Sequence, residues 1–182
     1  MASSHRTPKL VLVAFLIFHT LWISSHAASH VTTDEQTALS ALRNTWSLEQ
    51  PPYNWPADTS TYCDSAPPLG VSCNAALRIT SITLSGLNGT IPNEFSLLTY
   101  INSITLTGNL AGTIPDSLSG LAVLTSLTIN GGQINGSIPA QLGGPTLQYL
   151  DLKGNHLTGI IPDSIYQRTF LTYLDLSSNA LT

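Results

Sequence analysis

The chain has 182 residues, of which only 9% are charged: 6 Lys or Arg against 10 Asp or Glu, a formal net charge of −4. This balance argues against a nucleic-acid partner, which asks for a basic stripe, and against binding to an anionic membrane surface. Ser, Thr, Asn and Gly carry most of the polarity, which fits an extracellular protein open to glycosylation.

Arg6 and Lys9 precede an apolar run from Leu10 to Ile23, followed by Ser24, Ser25, His26, Ala27 and Ala28. A basic start, a short apolar core and a small-residue end mark a secretory signal peptide, here residues 1–27. The run of 14 residues contains His19 and Thr20. It falls short of the about 20 apolar residues that a membrane-spanning helix needs. No later segment of the sequence is long and apolar enough to span a bilayer. Residues 28–182 suit one domain.

Next comes a cap region, residues 28–78. Thr33-Asp34-Glu35-Gln36 reads as a capping box that opens a helix, and Ala38, Leu39, Leu42 and Trp46 follow at helical spacing on one face. Cys63 and Cys73 are the two cysteines. In a secreted chain an even count argues for a disulfide, and two cysteines allow one connectivity. A lone pair with no histidine nearby cannot make a tetrahedral zinc site, and no metal site is expected.

From residue 79 to 182 the chain repeats. Gly-x-Ile-Pro recurs at Gly89, Gly112, Gly136 and Gly159, and its prolines (Pro92, Pro115, Pro139, Pro162) are 23, 24 and 23 residues apart. The rest of the unit is clearest at Leu147, Leu150, Leu152, Asn155, Leu157, Gly159, Ile161, Pro162 and Ile165. It restarts at Leu171, Leu174, Leu176, Asn179 and Leu181. This L-x-x-L-x-L-x-x-N-x-L wording resembles the leucine-rich repeat, here about four and a half copies of 23–24 residues. Its L-x-L pair has the period of a strand with one buried face. Proline after the isoleucine fixes φ and withholds a donor, so the chain there extends and turns. Two turns are shortened: Leu84 to Pro92 is 8 residues and Leu106 to Pro115 is 9, against 10 from Leu152 to Pro162. Gly132 replaces the ladder asparagine of the third repeat. These departures read as capping behaviour at the start of a solenoid.

The Gly-x-Ile-Pro element makes the sequence resemble the plant-type leucine-rich-repeat family. That family includes receptor-like kinase and receptor-like protein ectodomains and secreted polygalacturonase-inhibiting proteins. The resemblance implies an α/β solenoid: a right-handed superhelix with a parallel sheet on its concave face and a helical, disulfide-bonded N-terminal cap. Trp55 and Gly70-Val71-Ser72-Cys73 resemble the family's cap wording, although Pro68 stands where that wording has a Trp. The implied function is extracellular recognition at the cell surface, with a protein, peptide or glycan ligand on the concave face and a co-receptor as possible partner. A receptor parent would carry a membrane helix and, in one branch, a kinase domain; neither is in these 182 residues. The alternative is a secreted inhibitor of cell-wall-degrading enzymes, which usually has more repeats and a closing cysteine cap.

Stacked strands would present three columns on the concave face. The first runs Ser81, Ser103, Ser126, Tyr149, Tyr173. The second runs Thr83, Thr105, Thr128, Asp151, Asp175, and the third Ser85, Thr107, Asn130, Lys153, Ser177. The early columns are all hydroxyl or amide, and the later ones gain aromatics and charge. Interfaces enrich aromatic groups beside polar ones, so the ligand site is placed at Tyr149, Asp151, Lys153, Tyr173 and Asp175. Two sequons, Asn88-Gly89-Thr90 and Asn135-Gly136-Ser137, share one repeat position away from this face and mark Asn88 and Asn135 for N-glycosylation. No nucleophile elbow, phosphate loop or metal-spaced cluster occurs, and His30 and His156 stand alone. Asp151 and Asp175 would lie roughly 5 Å apart on adjacent strands, but aspartate at that place is ordinary for this repeat. The chain reads as non-enzymatic, with no cofactor. It stops at Thr182 inside its fifth repeat with no closing cap, which reads as a fragment of a longer protein.

Overall fold

The computed structural model describes residues 31–64 and 66–182, so the signal-peptide assignment and His30 lie outside the described residues. Helix α1 (Thr33–Thr45) buries Ala38, Leu39 and Leu42, and Trp46 caps its end with a buried ring. The helix start is shifted by one residue from the sequence reading. Thr32 is the N-cap: its backbone is extended (φ −65°, ψ 161°) and its hydroxyl accepts the Glu35 N–H. The reason lies in Glu35, which is fully buried. Its carboxylate accepts from Thr32 N at 3.0 Å, from Arg78 Nε at 3.0 Å and from Ile79 N at 3.0 Å. One acid thus closes the capping box and ties the cap to the first repeat. Gln36, expected to close the box, donates instead to the Val31 carbonyl.

Cys63 and Cys73 are disulfide-bonded. Trp55 is buried beside Tyr62, with ring centroids 5.4 Å apart and planes at 89°, and its indole N–H donates to the Leu69 carbonyl at 2.9 Å. The cap therefore reaches the segment beside Pro68 with Trp55. The Trp46 indole N–H likewise donates to the Thr90 carbonyl at 3.0 Å, while its ring packs 6.1 Å from that of Phe95. The open end of the first repeat is covered by two tryptophans whose polar edges are both satisfied, as buried indoles require.

Strand β1 (Val71–Cys73) pairs antiparallel with β2 (Ile79–Thr90), and each later pairing is parallel. The concave ladder runs from the first half of β2 through β3 (Ser103–Thr113) to β4 (Ser126–Asn130), β6 (Tyr149–Asp151) and β8 (Tyr173–Asp175). A second, lateral ladder joins the far halves of β2 and β3 to β5 (Gln133–Gly136), β7 (His156–Gly159) and β9 (Ala180–Leu181). The shortened turns explain why β2 and β3 belong to both ladders. With only two residues between Leu84 and Leu87 the chain cannot leave the sheet, so it passes from one ladder to the other through a register shift. In repeats with the full spacing the chain makes a separate turn, and each copy has two short strands.

At Pro92, Pro115 and Pro162, φ lies between −60° and −69°. The lateral strand ends there, and a short helical turn begins at Asn93–Leu97, Asp116–Gly120 and α2 (Asp163–Tyr166). These turns send Phe95, Leu118 and Ile165 into the same core as Ile104, Leu127 and Leu150 from the strands. Each such side chain contributes roughly 1.5–3 kcal/mol by leaving water. The last copy is looser: Leu174 is 38% exposed, and Leu176 and Leu181 are only partly buried.

The repeat asparagines hold neighbouring turns together. Asn155 Nδ2 donates to the Leu152 and Ile129 carbonyls at 3.0 and 2.8 Å, and its oxygen accepts from Ile134 N. Asn179 repeats this one turn later on Leu176, Leu152 and Leu157. Gly132 stands where the third asparagine belongs, and there the backbone leaves no room: a Cβ on Gly132 would lie 2.8 Å from the Leu110 carbonyl and 3.2 Å from the Asn155 oxygen.

Candidate functional site

The concave columns form in the expected register. Ser81, Ser103, Ser126, Tyr149 and Tyr173 pair in turn across the sheet, as do Thr83, Thr105, Thr128, Asp151 and Asp175. In the third column Thr107 faces Asn130. Ser85 drops out of it because the bulge after Leu84 turns the chain, and the Tyr53 hydroxyl holds the Ser85 backbone at both N–H and C=O.

In the C-terminal half the two tyrosines lie face to face, with ring centroids 4.2 Å apart and planes at 4°. Parallel strands with equal side chains in register enforce this, because each ring starts from an equivalent Cα one strand spacing away. Tyr173 is 40% exposed, and a side-chain hydrogen bond with Tyr149 raises its pKa, with smaller contributions from desolvation and the charges of Tyr149, Asp175 and Asp151.

The two aspartates differ. Asp151 is 8% exposed and both its oxygens are engaged, one accepting from Asn130 Nδ2 at 3.0 Å and the other from Lys153 N at 3.0 Å. It braces the sheet and adds charge, but presents little surface. Asp175 is open on one side. Hydrogen bonds from the Ser177 hydroxyl and N–H hold its carboxyl below the usual range, with Lys153 and Tyr173 adding to the effect. Lys153 Nζ is 3.9 Å from Asp175 Oδ2, and its side chain is 56% exposed. The structure thus brings Tyr149, Tyr173, Asp175 and Lys153 together on one exposed patch and sets Asp151 behind it. Asn130 is the partner that sequence reading passed over. Its register opposite Lys153, in the column beside Asp151, was the available signal.

The N-terminal half is different. Ser81, Ser103 and Ser126 stand in one row and Thr83, Thr105 and Thr128 in the next, with no charged side chain among them. The two sequon asparagines, Asn88 and Asn135, lie exposed on the lateral ladder, off the concave face. Among the described residues no group of three His, Cys, Asp or Glu converges, and no helix is long and apolar enough to cross a membrane.

Residues 146–167 and 167–182 each match a family described as Leucine Rich Repeat. A search of curated protein sequences gave no match. Among solved structures, a chain of the BIR3–SERK2 complex from Arabidopsis thaliana shares 29% identity, with a TM-score of 0.71, over 80% of this chain and 81% of that one. The Arabidopsis receptor kinase HAESA, solved with the peptide hormone IDA and the co-receptor SERK1, shares 27% at a TM-score of 0.71. There the match covers 82% of this chain and 26% of that one. A plant ice-binding protein shares 28% at a TM-score of 0.70, over 83% of this chain and 50% of that one. The chain thus spans half the length of the ice-binding protein and about a quarter of HAESA. Repeat wording, asparagine ladder and fold agree: the fold is a leucine-rich-repeat solenoid, and the chain is similar to the ectodomains of plant receptor kinases.

Proposed function

We propose that the chain is an extracellular recognition scaffold that holds a protein, peptide or glycan ligand on the C-terminal half of its concave sheet. The observation that carries this reading is the exposed Tyr149–Tyr173 stack beside Asp175 and Lys153. Rigid aromatic surface next to orienting polar groups is what binding hot spots are made of. The HAESA complex, in which the receptor is bound to a peptide hormone and a co-receptor, supports the same use of the fold. The inhibitor alternative draws no support beyond the shared solenoid.

Secretion of the chain from a eukaryotic host, followed by hydrogen exchange with pooled wall-derived oligosaccharides and peptides, tests the reading. Protection is expected at β6 and β8, and Tyr173→Ala should weaken binding by roughly tenfold or more, the effect of losing a hot spot. Protection confined to the lateral ladder or the convex turns would sink it. In the same preparation Asn88 and Asn135 carry N-glycans on the lateral ladder; an unchanged mass after enzymatic deglycosylation would remove that assignment.

A second reading rests on the uncharged hydroxyl rows of the N-terminal half. Six Ser and Thr side chains repeat across a rigid sheet at the strand spacing of about 4.8 Å. Such an array can order water without the competing hydration shell of a charge. The similarity of the fold to that of a plant ice-binding protein supports this reading. The measurement is ice recrystallisation in the presence of the chain, and Thr105→Lys, in the centre of the array, should abolish any inhibition. Equal inhibition by the variant would exclude the face.

A further inference from the structure

We infer that the concave face takes a neutral pyranose ring of a glycan, stacked on the side of Tyr149 that looks toward β4 and held at its rim by the hydroxyls of Ser126, Thr128, Ser103 and Thr105. This rests on the recognition reading above and names its ligand class. Tyr149 gives one face to Tyr173, with ring centroids 4.2 Å apart and planes at 4°. In the other direction its partner across the sheet is Ser126. A serine side chain is too short to cover a tyrosine ring. The outer part of the Tyr149 ring therefore stands as a wall at the end of a floor of small side chains. The slot above Ser126 is one ring wide, because neighbouring strands are about 4.8 Å apart. It lies between β6 and β4, each of which has a further strand on its other side.

The floor is uncharged and its donors are free. Ser103, Thr105, Ser126 and Thr128 are half-buried, and among the described residues their hydroxyls hold no hydrogen bond. Hydroxyls one position earlier on the strands behave differently: those of Thr80 and Thr125 donate to the Ser72 and Asn102 carbonyls at 3.2 and 2.9 Å. A free hydroxyl can donate and accept at once, which suits a ligand that carries hydroxyls of its own. A pyranose with equatorial substituents has hydroxyls around its rim and C–H bonds on its faces, and those C–H bonds meet the negative face of an aromatic ring. An aromatic side chain of a peptide would stack equally well but leave the half-buried hydroxyls without partners, which costs free energy. Charge argues for a neutral sugar. Asp151, beside Tyr149 in the next column, has its oxygens taken by Asn130 and the Lys153 N–H. It offers no acceptor to a cation, and its charge repels an acidic sugar.

The test is titration of the secreted chain with cellohexaose, a neutral glucan with equatorial substituents, followed by NMR of the sugar. Hexagalacturonic acid and the peptide acetyl-Gly-Phe-Gly-amide serve as comparisons. Stacking on a ring face moves the sugar C–H resonances upfield. Cellohexaose is expected to show that shift and to bind about tenfold more tightly than either comparison. Tyr149→Phe, which keeps the ring face, should retain binding, and Tyr149→Ser should lose about tenfold or more. Ser126→Phe sets a ring of the chain's own into the slot and should block the sugar while Tyr149 stays in place; thermal unfolding checks that each variant is folded. No binding of cellohexaose, binding without the upfield shift, binding no tighter than that of either comparison, or binding unchanged in Tyr149→Ser or Ser126→Phe would overturn the inference. Failure here leaves the recognition reading standing if other ligands still protect β6 and β8. If nothing protects those strands, the recognition reading itself fails.

Discussion

Glu35→Ala is expected to cost about 3–5 kcal/mol of stability, the usual effect of removing one partner from a buried ion pair. The substitution strips hydrogen bonds from Thr32 N, Ile79 N and Arg78 at once. Two of those groups are backbone donors at the junction of helix and first repeat, and the third is a cation left without its counter-charge. In a domain of this size the melting temperature should fall by roughly 10 °C or more. Thermal unfolding followed by circular dichroism measures it. A fall of only one or two degrees would mean that the cap does not depend on this acid.

The second large effect is expected at Gly108. A Cβ there would lie 2.3 Å from Leu87 N and 2.5 Å from Leu87 O, and the backbone sits at φ +137°. Gly108→Ala therefore combines backbone strain with a clash against backbone atoms that cannot rotate away. Together these are worth about 3–5 kcal/mol. Gly86 provides the control: its φ is +68° but nothing lies within 4 Å of the added carbon. Gly86→Ala should cost only about 1–2 kcal/mol, the price of a left-handed backbone alone. Urea unfolding of both variants separates the two causes. Equal losses would show that the close approach of β2 and β3 is not what Gly108 serves.

These two sites also show which parts of the fold can be read from the sequence. The period of Gly-x-Ile-Pro and the L-x-L pairs gave the first two concave columns residue by residue, because strand register follows directly from repeat spacing; the third lost Ser85 to the bulge after Leu84. The stacked tyrosines followed from the same arithmetic. The fused strands β2 and β3 did not, although the short turns were visible. Whether a shortened turn caps a solenoid or welds two ladders depends on where the backbone must pass, and Gly108 shows its significance only beside Leu87. Thr32 was missed as N-cap because two threonines in a row offer equal local chemistry. Glu35 decides between them through Arg78 and Ile79, 43 and 44 residues away. Asp151 was expected to face a ligand. It is buried instead, one oxygen taken by Asn130 on the neighbouring strand, a contact between side chains that the columns alone do not weigh.

The asparagine clasps give the two halves of the solenoid unequal freedom to change length. In the rear half each turn is fastened to its neighbours by an amide that reaches one repeat back and meets an N–H offered there. A duplicated copy of residues 147–170 would bring its own clasp and find matching carbonyls on both sides. In the front half the fastening is different: each of β2 and β3 is one continuous strand that belongs to both ladders. The end where the tyrosines and charges stand can thus be lengthened one clasped copy at a time, each new copy adding a strand to the concave face while the capped end stays as it is.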